Sequence, residues 1–546
     1  MTPEDIVKRL GVLETDRKNV EGLWQDLERW VHPFRGDFFY VTEQEGEKDW
    51  RRRDVYDNTA MCAADHLAAS IQANLMPESS RWFDLEFQDK ELGKEEENKT
   101  WLEDGADLTF RTLNESNFNL SSAESVLDTV VFGNGFLVEE EMDSEIEFTA
   151  MPLKECYFEE GYDGNIKHFY RSMQWTVVQV VDKFGIDSVP DTIKSRYAAD
   201  KADTEKVNVI FAVYAVDANK NNDISTILAP DKRPYGYKYV LRAGAEQLGE
   251  SGGYYEMPVF NPRWRKATGS RHGYGPGSRI IDIIKTLNEW VETTLESAAK
   301  AVDPPLMATQ GGIVSDLEAV RGGITVVSSL DQIGQFPVGG DFQMANLEVA
   351  DMRMMIRREF YEDQLELKES PAMTATEVNV RYELMQKLLG PTMGRLQADF
   401  LDPLIQRTFN ILYRNGTIPP APEGLEGSDL KINYVGPLPR AQKEEEARNT
   451  VSWLGIVGQF VELWPELRNL PKPDDALRFI GARMGVPSTS MANEAEYQKL
   501  KQEDEAMMQE AQQTEQARAK GEAAQSMGAG AQALDPDAIA AVQGGI

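Results

Sequence analysis

The strongest constraint on the fold is a stripe of apolar residues at helical spacing. Ile280, Ile284, Leu287, Val291 and Leu295 run down an unbroken segment from the glycines Gly269, Gly273, Gly275 and Gly277 to about Val302. Residues at i, i+4 and i+7 share one helical face, so this is an amphipathic helix with a face to bury. Asp303-Pro304-Pro305 ends it, because proline cannot continue the helical ladder. The following stretch is short-patterned and broken by Gly311-Gly312, Gly322-Gly323 and Gly339-Gly340, and a second helix is expected from about Gln343 to Leu365. Pro371 interrupts that helix, and Thr374 with Glu377 forms a capping box that restarts it. A very long helix then carries Val378, Tyr382, Met385, Leu389, Leu396, Phe400 and Leu404 on one face, with kinks expected at Pro391 and Pro403 and an end near Asn415-Gly416.

The flanking segments supply a body for this helical frame. Ile6–Val31, Thr59–Leu75, Glu91–Leu113 and Leu120–Phe132 read as helices, and Trp82, Leu85 and Phe87 as a short strand. After Gly133-Asn134-Gly135 the apolar period changes from 3.6 to 2. Phe136–Glu140, Ile146–Met151, Cys156–Glu159, Lys167–Arg171, Val207–Val216 and Tyr235–Ala243 read as strands, with a tight hairpin turn at Asp163-Gly164. Residues 136–265 are therefore expected to form an α+β section built on antiparallel strands. Pro419–Pro422 and Pro437–Pro439 read as linkers, and Lys443–Phe460 and Asp474–Met484 as helices. From Met491 the chain is rich in Ala, Gln, Glu and Gly, which suits a solvated helix or a disordered tail.

Charge narrows the function. Across 546 residues, 91 Asp and Glu oppose 57 Lys and Arg, a formal charge of −34. Such a surface repels nucleic acid, which argues against tight sequence-specific DNA binding but not against a protein that stays near DNA without gripping it. Two cysteines, Cys62 and Cys156, are too few for a disulfide framework and suit a reducing compartment. The N-terminus lacks the pattern of a signal peptide, and no apolar run approaches the length of a membrane span; the best are Ile210–Val216 and Val177–Val181.

Enzyme signatures fail on context. No phosphate loop ending in Gly-Lys-Ser/Thr is present, and Gly273-x-Gly275-x-Gly277 lacks the full dinucleotide spacing, so it reads as a hinge or tight turn leading into the helix. Gly249-Glu250-Ser251-Gly252-Gly253 matches Gly-x-Ser-x-Gly by letter, but Tyr254-Tyr255 and Pro258 follow where a helix should start, so a flexible turn is expected. Asp217-x-Asn219-x-Asn221-x-Asp223 resembles half of a calcium loop, yet Asn222 stands where the turn glycine belongs and Leu228 where the closing carboxylate belongs. His32, His66, His168 and His272 form no ligand pair at helical spacing. No catalytic residue, metal or cofactor is expected. Three basic clusters stand out, Arg51-Arg52-Arg53, then Arg263, Arg265, Lys266 and Arg271, then Arg353, Arg357 and Arg358. Each suits phosphate or the surplus carboxylates of a neighbouring subunit, and the acidic excess favours the second.

What remains is an order of elements, and that order resembles the head-to-tail connector (portal) proteins of short-tailed, podovirus-type bacteriophages. The most specific match is Pro371-Ala372-Met373-Thr374-Ala375-Thr376-Glu377-Val378 continuing to Arg381, with Thr374, Thr376, Glu377 and Arg381 as the helix-start motif. Asn74-Leu75-Met76-Pro77 with Trp82-Phe83, Phe132-Gly133-Asn134-Gly135, and Gly273-Tyr274-Gly275-Pro276-Gly277 through Asp282 and Leu287-Asn288 support it. The likeness runs from about Leu10 to about Arg483.

The resemblance implies an α+β, mainly helical portal-type subunit assembling into a ring, commonly of twelve. It implies a wing over residues 1–276, a first stem helix over 277–302, a clip over 303–342 and a second stem helix over 343–365. A tunnel loop over 366–373 follows, then a long wing helix and linker over 374–436, crown helices over 437–490 and a polar tail over 491–546. The implied function is a ring at the capsid vertex through which double-stranded DNA is packaged and ejected. Its implied partners are the terminase packaging motor, the tail adaptor, the major capsid protein and scaffold or internal core proteins, with no membrane. The implied place is the head–tail junction of the virion, after assembly in the host bacterial cytoplasm. Glu366, Lys368, Glu369 and Ser370 become channel candidates; Lys368 suits a transient DNA contact or pairing with Glu366 or Glu369. Twelve copies would carry roughly −400 formal charges, which favours sliding DNA over gripping it. A different tail or baseplate structural protein is the alternative, but it predicts strand repeats or a trimeric fibre pattern, and the sequence shows neither.

Overall fold

The computed structural model describes residues 1–35, 55–87, 96–142, 145–162, 164–198, 202–216, 228–302, 306–308, 333–335, 342–362, 389–422, 430–434, 437–461, 472–484 and the single positions 464, 470, 497, 499 and 507. It is mixed α+β and mainly helical, and it divides into two units, Met1–Pro439 and Arg440–Ile546.

In the first unit, α1 (Pro3–Trp30) opens on a capping box in which Thr2 and Asp5 satisfy each other's backbone amides, with Pro3 in the first turn. Its stripe serves two cores. Ile6, Leu10 and Leu13 pack with Tyr157, Tyr170, Ile210 and Val240, while Trp24 and Leu27 join the main core. Between them Arg17 is buried, donating to the carbonyls of Leu153, Lys154 and Cys156 and to the Tyr157 hydroxyl. The small residues of α2 (Thr59–Leu75), Ala60, Ala63, Ala64 and Ala68, are buried and allow close packing. After β1 (Phe83–Phe87) and α3 (Glu96–Glu115) comes α4 (Phe118–Phe132), buried along most of its length and packed on α2.

The period-2 section folds as strands, with helices inside it. A three-stranded sheet has the order β3–β2–β9, from β2 (Leu137–Met142), β3 (Glu145–Ala150) and β9 (Val259–Phe260). A five-stranded antiparallel sheet runs in sequence order through β4 (Cys156–Glu160), β5 (Ile166–Thr176), β6 (Lys206–Ala215), β7 (Tyr235–Leu241) and β8 (Glu246–Tyr254). Gly164, at φ 79°, turns the β4–β5 hairpin. The apolar run at Val177 is a short helix, α5 (Val177–Phe184), capped by Thr176 and Gln179, and α6 (Asp191–Tyr197) follows.

Gly249–Gly253 is not the expected turn: it lies within β8, where a bulge shifts the register against Tyr237 and Tyr239. A Cβ on Gly252 would come within 2.4 Å of the Tyr237 ring, so the strand needs glycine for close approach.

A short hairpin of β10 (Arg265–Lys266) and β11 (Gly273–Tyr274) leads into α7 (Pro276–Val302), one residue earlier than the expected start at 277. β12 (Leu306–Ala308) pairs antiparallel with β13 (Ile333–Gln335). The returning helix α8 (Phe342–Glu359) packs on α7 and ends before the expected Leu365, because Tyr361 adopts a left-handed φ of 60° that a helix cannot continue through. Helix then runs over 389–396 into a π turn at Gln397–Leu401 and on through Asp402–Arg414. The expected kink at Pro403 is that wide turn. Proline lacks the amide that would reach Asp399, its ring would strike that carbonyl, and the Asp402 amide reaches back five residues to Gln397 instead. Finally β14 (Leu430–Tyr434) pairs with β1.

A helix over Pro437–Val461, which lies in the second unit from Arg440 onward, starts where Pro437–Pro439 was expected to be a linker, since proline is tolerated in a first turn. A second helix spans Pro473–Met484.

Candidate functional site

The glycines before α7 form a seam between backbones. A Cβ on Gly273 would sit 2.3 Å from the Gly133 carbonyl, one on Gly275 2.2 Å from the Val130 carbonyl, and one on Gly133 (φ 81°) 2.4 Å from Tyr274 Cα. The Asn134 side chain closes the seam, donating to the Gly273 carbonyl (3.2 Å) and accepting from its amide (2.9 Å). The space a phosphate would need is filled by the end of α4, so this run is a packing device that fixes where α7 begins.

From there the α7 stripe divides. Ile280, Ile281, Ile284, Leu287 and Asn288 are buried, and beyond Asn288 no α7 residue is. Asn288 marks the boundary. Its side-chain oxygen accepts from the amides of Tyr56 (2.9 Å) and Asp57 (3.0 Å), and its nitrogen donates to the Ile284 carbonyl (2.9 Å). Asp57 in turn accepts from the Thr59 amide and from Arg353 of α8, at 2.7 Å. Burial alone would raise the Asp57 carboxyl; Thr59 and Arg353 outweigh it and hold it below its usual range. Lys285–Asp26 (2.5 Å) and Arg279–Glu359 (2.7 Å) add further ties. The body therefore grips the pair at its inner end.

The outer end presents apolar side chains to solvent. Leu295 and Val302 continue the buried stripe at helical spacing yet are 56% and 87% exposed, and Trp290 and, on α8, Leu347 are exposed as well. Burying a side chain of this size is worth about 1.5–3 kcal/mol, so the surface suits cover by another protein chain.

The basic candidates divide too. Arg263 is buried, with its charge taken up inside the chain by Glu160 and by Asp399 at 2.7 Å, and Lys266 shares Glu160. Arg265 donates to the hydroxyls of Tyr361 (3.2 Å) and Thr392 (3.5 Å), and Arg271 reaches Asp16 at 3.2 Å. Arg357 lies 3.6 Å from Glu362, which His66 also approaches. Arg358 is exposed and has no ion-pair partner among the described residues. The channel candidates Glu366, Lys368, Glu369 and Ser370, the helix-start motif Thr374, Thr376, Glu377 and Arg381, the Arg51–Arg53 cluster and the Asp217–Asp223 loop lie outside the described residues.

Ser251 lines a cavity of about 930 Å³ with Lys183, Arg233, Tyr237, Tyr239 and Arg414, and no histidine is among the lining residues. Among the described residues no group of three or more His, Cys, Asp or Glu is placed to hold a metal, and no helix is long and apolar enough to cross a membrane.

Sequence reasoning missed one buried charge network. Arg407 meets Glu139 at 3.4 Å, while Arg407 and Arg414 both hold Glu256. Burial pushes the Glu139 carboxyl up to about 7 against the pull of Arg407 and Thr408. Its only sequence signal was an acidic run, Glu139-Glu140-Glu141, on an otherwise apolar strand.

Comparison with known proteins adds an independent line. The family model described as bacteriophage head to tail connecting protein matches residues 4–491. The probable portal protein of Bordetella phage BPP-1 is 27% identical over 474 residues, covering 85% of this chain and 84% of that protein. The portal protein of Salmonella phage epsilon15 is 24% identical over 511 residues, covering 92% and 90%. A solved structure of the virion of a native gene transfer agent particle matches with a TM-score of 0.37 and 10% identity, over 75% of this chain and 91% of that one, a likeness that carries no argument about the fold.

Proposed function

Because the chain belongs to the bacteriophage head-to-tail connecting, or portal, family, we propose that it assembles side by side with copies of itself into a ring that conducts double-stranded DNA. It is a structural, non-enzymatic component of the virion at the head–tail junction.

In the proposed ring, α7 and α8 form the stem, and residues 303–342 form a clip that meets the packaging motor during filling and the tail adaptor afterwards. Residues 366–373 form the tunnel loop, and the helices from Pro437 onward form the crown. Twelve subunits is the number the family suggests. The observation that carries this reading is the α7–α8 stripe, gripped by the body up to Asn288 and uncovered beyond it. Identical copies arranged around an axis would each cover the next copy's exposed Leu295, Val302 and Leu347. The net charge of −34 supports passage of DNA without tight binding.

Leu295→Lys combined with Leu347→Lys tests the stem assignment. The expected result is a folded subunit, by circular dichroism and sedimentation, that no longer forms rings under conditions where the unmodified chain does. Rings of unchanged stability would overturn it.

A further inference from the structure

Residues 389–414 form one helix with a single wide turn at Gln397–Leu401. A π turn carries one residue more than an α turn. Counted at about 100° per residue, the buried positions before it (Leu389, Met393, Leu396) and after it (Leu404, Ile405, Phe409, Leu412) would face directions roughly a third of a turn apart on an unbroken α-helix. The extra residue absorbs about that angle and returns both stretches to the same core.

Tyr361, just past the end of α8, is a second irregular point, because its left-handed backbone is one that side-chain-bearing residues seldom adopt. Both points are held from one place. Arg263 donates to Asp399 inside the wide turn at 2.7 Å, and Arg395 lies 3.6 Å from the same oxygen. Two residues along, Arg265 spans the Tyr361 hydroxyl (3.2 Å) and the Thr392 hydroxyl (3.5 Å), linking the end of α8 to the 389–396 helix. The holder is itself fixed, because Arg263 and Lys266 share Glu160 on β4 and β10 pairs with β11.

We propose that the wide turn is a hinge, that the 389–396 helix opens about it as a unit, and that Arg265 is the latch holding the unit closed against Tyr361. Pro403 maintains the hinge by denying the turn its regular hydrogen bond, and Arg263 anchors the hinge on the side that stays still. Arg265 is a positioning residue: it sets the angle between α8 and the Asp402–Arg414 helix without touching DNA. Any contact that draws Arg265 or Tyr361 away would free the unit while leaving the core beyond Asp402 in place.

Amide hydrogen exchange on the full-length chain tests this. Arg265→Met is expected to speed exchange across 392–400 by tenfold or more, with Asp402–Arg414 unchanged and Arg265→Lys intermediate. Tyr361→Phe, which removes only the hydroxyl, should act in the same direction and less strongly. Deleting Ala398 together with Pro403→Ala removes the extra residue and the proline, so in that background Arg265→Met should leave exchange over 392–400 unchanged. Exchange within twofold of the unmodified chain in Arg265→Met would overturn the proposal. So would faster exchange spread equally over Asp402–Arg414 and α8, which would make Arg265 a general structural contact. If Arg265→Met does not accumulate as folded protein, Tyr361→Phe carries the same two outcomes.

Discussion

Asn288→Leu removes the fastening between α7 and the body while keeping the same branched arrangement of side-chain heavy atoms. Asn288 is buried, and its oxygen is the acceptor for two backbone amides, Tyr56 and Asp57. Leucine offers neither an acceptor nor a path for water. An unsatisfied buried amide costs about 1–3 kcal/mol. The Asp57 amide is fully enclosed and bears most of that cost, whereas the Tyr56 amide is only partly covered and regains some hydration. The sum is about 2–4 kcal/mol. With an m-value of about 5 kcal/mol per molar in guanidinium chloride, the unfolding midpoint should fall by roughly 0.4–0.8 M at constant m. Tryptophan fluorescence at fixed protein concentration is the assay, since assembly also contributes to apparent stability. Asn288→Asp is the control, compared at pH 4 to 5: protonated, its carboxyl accepts both amides and donates to Ile284 as the amide does, so it should recover part of the loss there and less at neutral pH, where a buried carboxylate oxygen would face the Ile284 carbonyl. A midpoint for Asn288→Leu within 0.1 M of the unmodified chain would refute the fastening, as would equal losses in the two variants.

Two opposed pH dependences follow from the buried groups. Burial raises Glu139 to about 7, so its contribution is fully present below the unfolded carboxyl value and is lost as pH rises toward 7; Glu139→Gln should flatten stability over that window in urea titrations. His272, packed edge-on against Trp24 and Phe158, is lowered by burial to about 3, so its contribution is present above 6.5 and is lost as pH falls; His272→Phe should reduce acid destabilisation between pH 6 and 4. Gly275→Ala drives a Cβ into the Val130 carbonyl and should abolish accumulation of soluble folded chain, whereas Gly11→Ala, with open space at its Cβ, should be neutral or mildly stabilising in thermal melts.

The helices were legible in the sequence wherever the apolar stripe and the stop signals agreed. The α1 stripe, the Ala-rich face of α2 and the Asp303-Pro304-Pro305 stop after α7 are local signals, and the elements follow them. β8 was not legible: glycines that read as a flexible turn are required by the Tyr237 ring on the neighbouring strand, and that ring is distant in the pattern a reader scans. Nor was β14, whose pairing with β1 joins segments from opposite ends of the first unit. The basic cluster at Arg263 read as a contact for phosphate or a neighbouring subunit's carboxylates, because composition cannot show that Glu160 and Asp399 of the same chain converge on Arg263 from separate elements. Likewise Pro403 signalled an irregularity in the long helix, but the form it takes, one residue absorbed in a wide turn, depends on which faces the core has to cover.

The central claim is that the exposed outer half of the α7–α8 pair is covered by copies of the same chain around a channel. The direct measurement is the mass and symmetry of the purified 61.4 kDa chain, by light scattering and negative-stain imaging at physiological salt. The account predicts a closed ring of about a dozen subunits around a hole wide enough for duplex DNA. A trimer or an elongated fibre would contradict it.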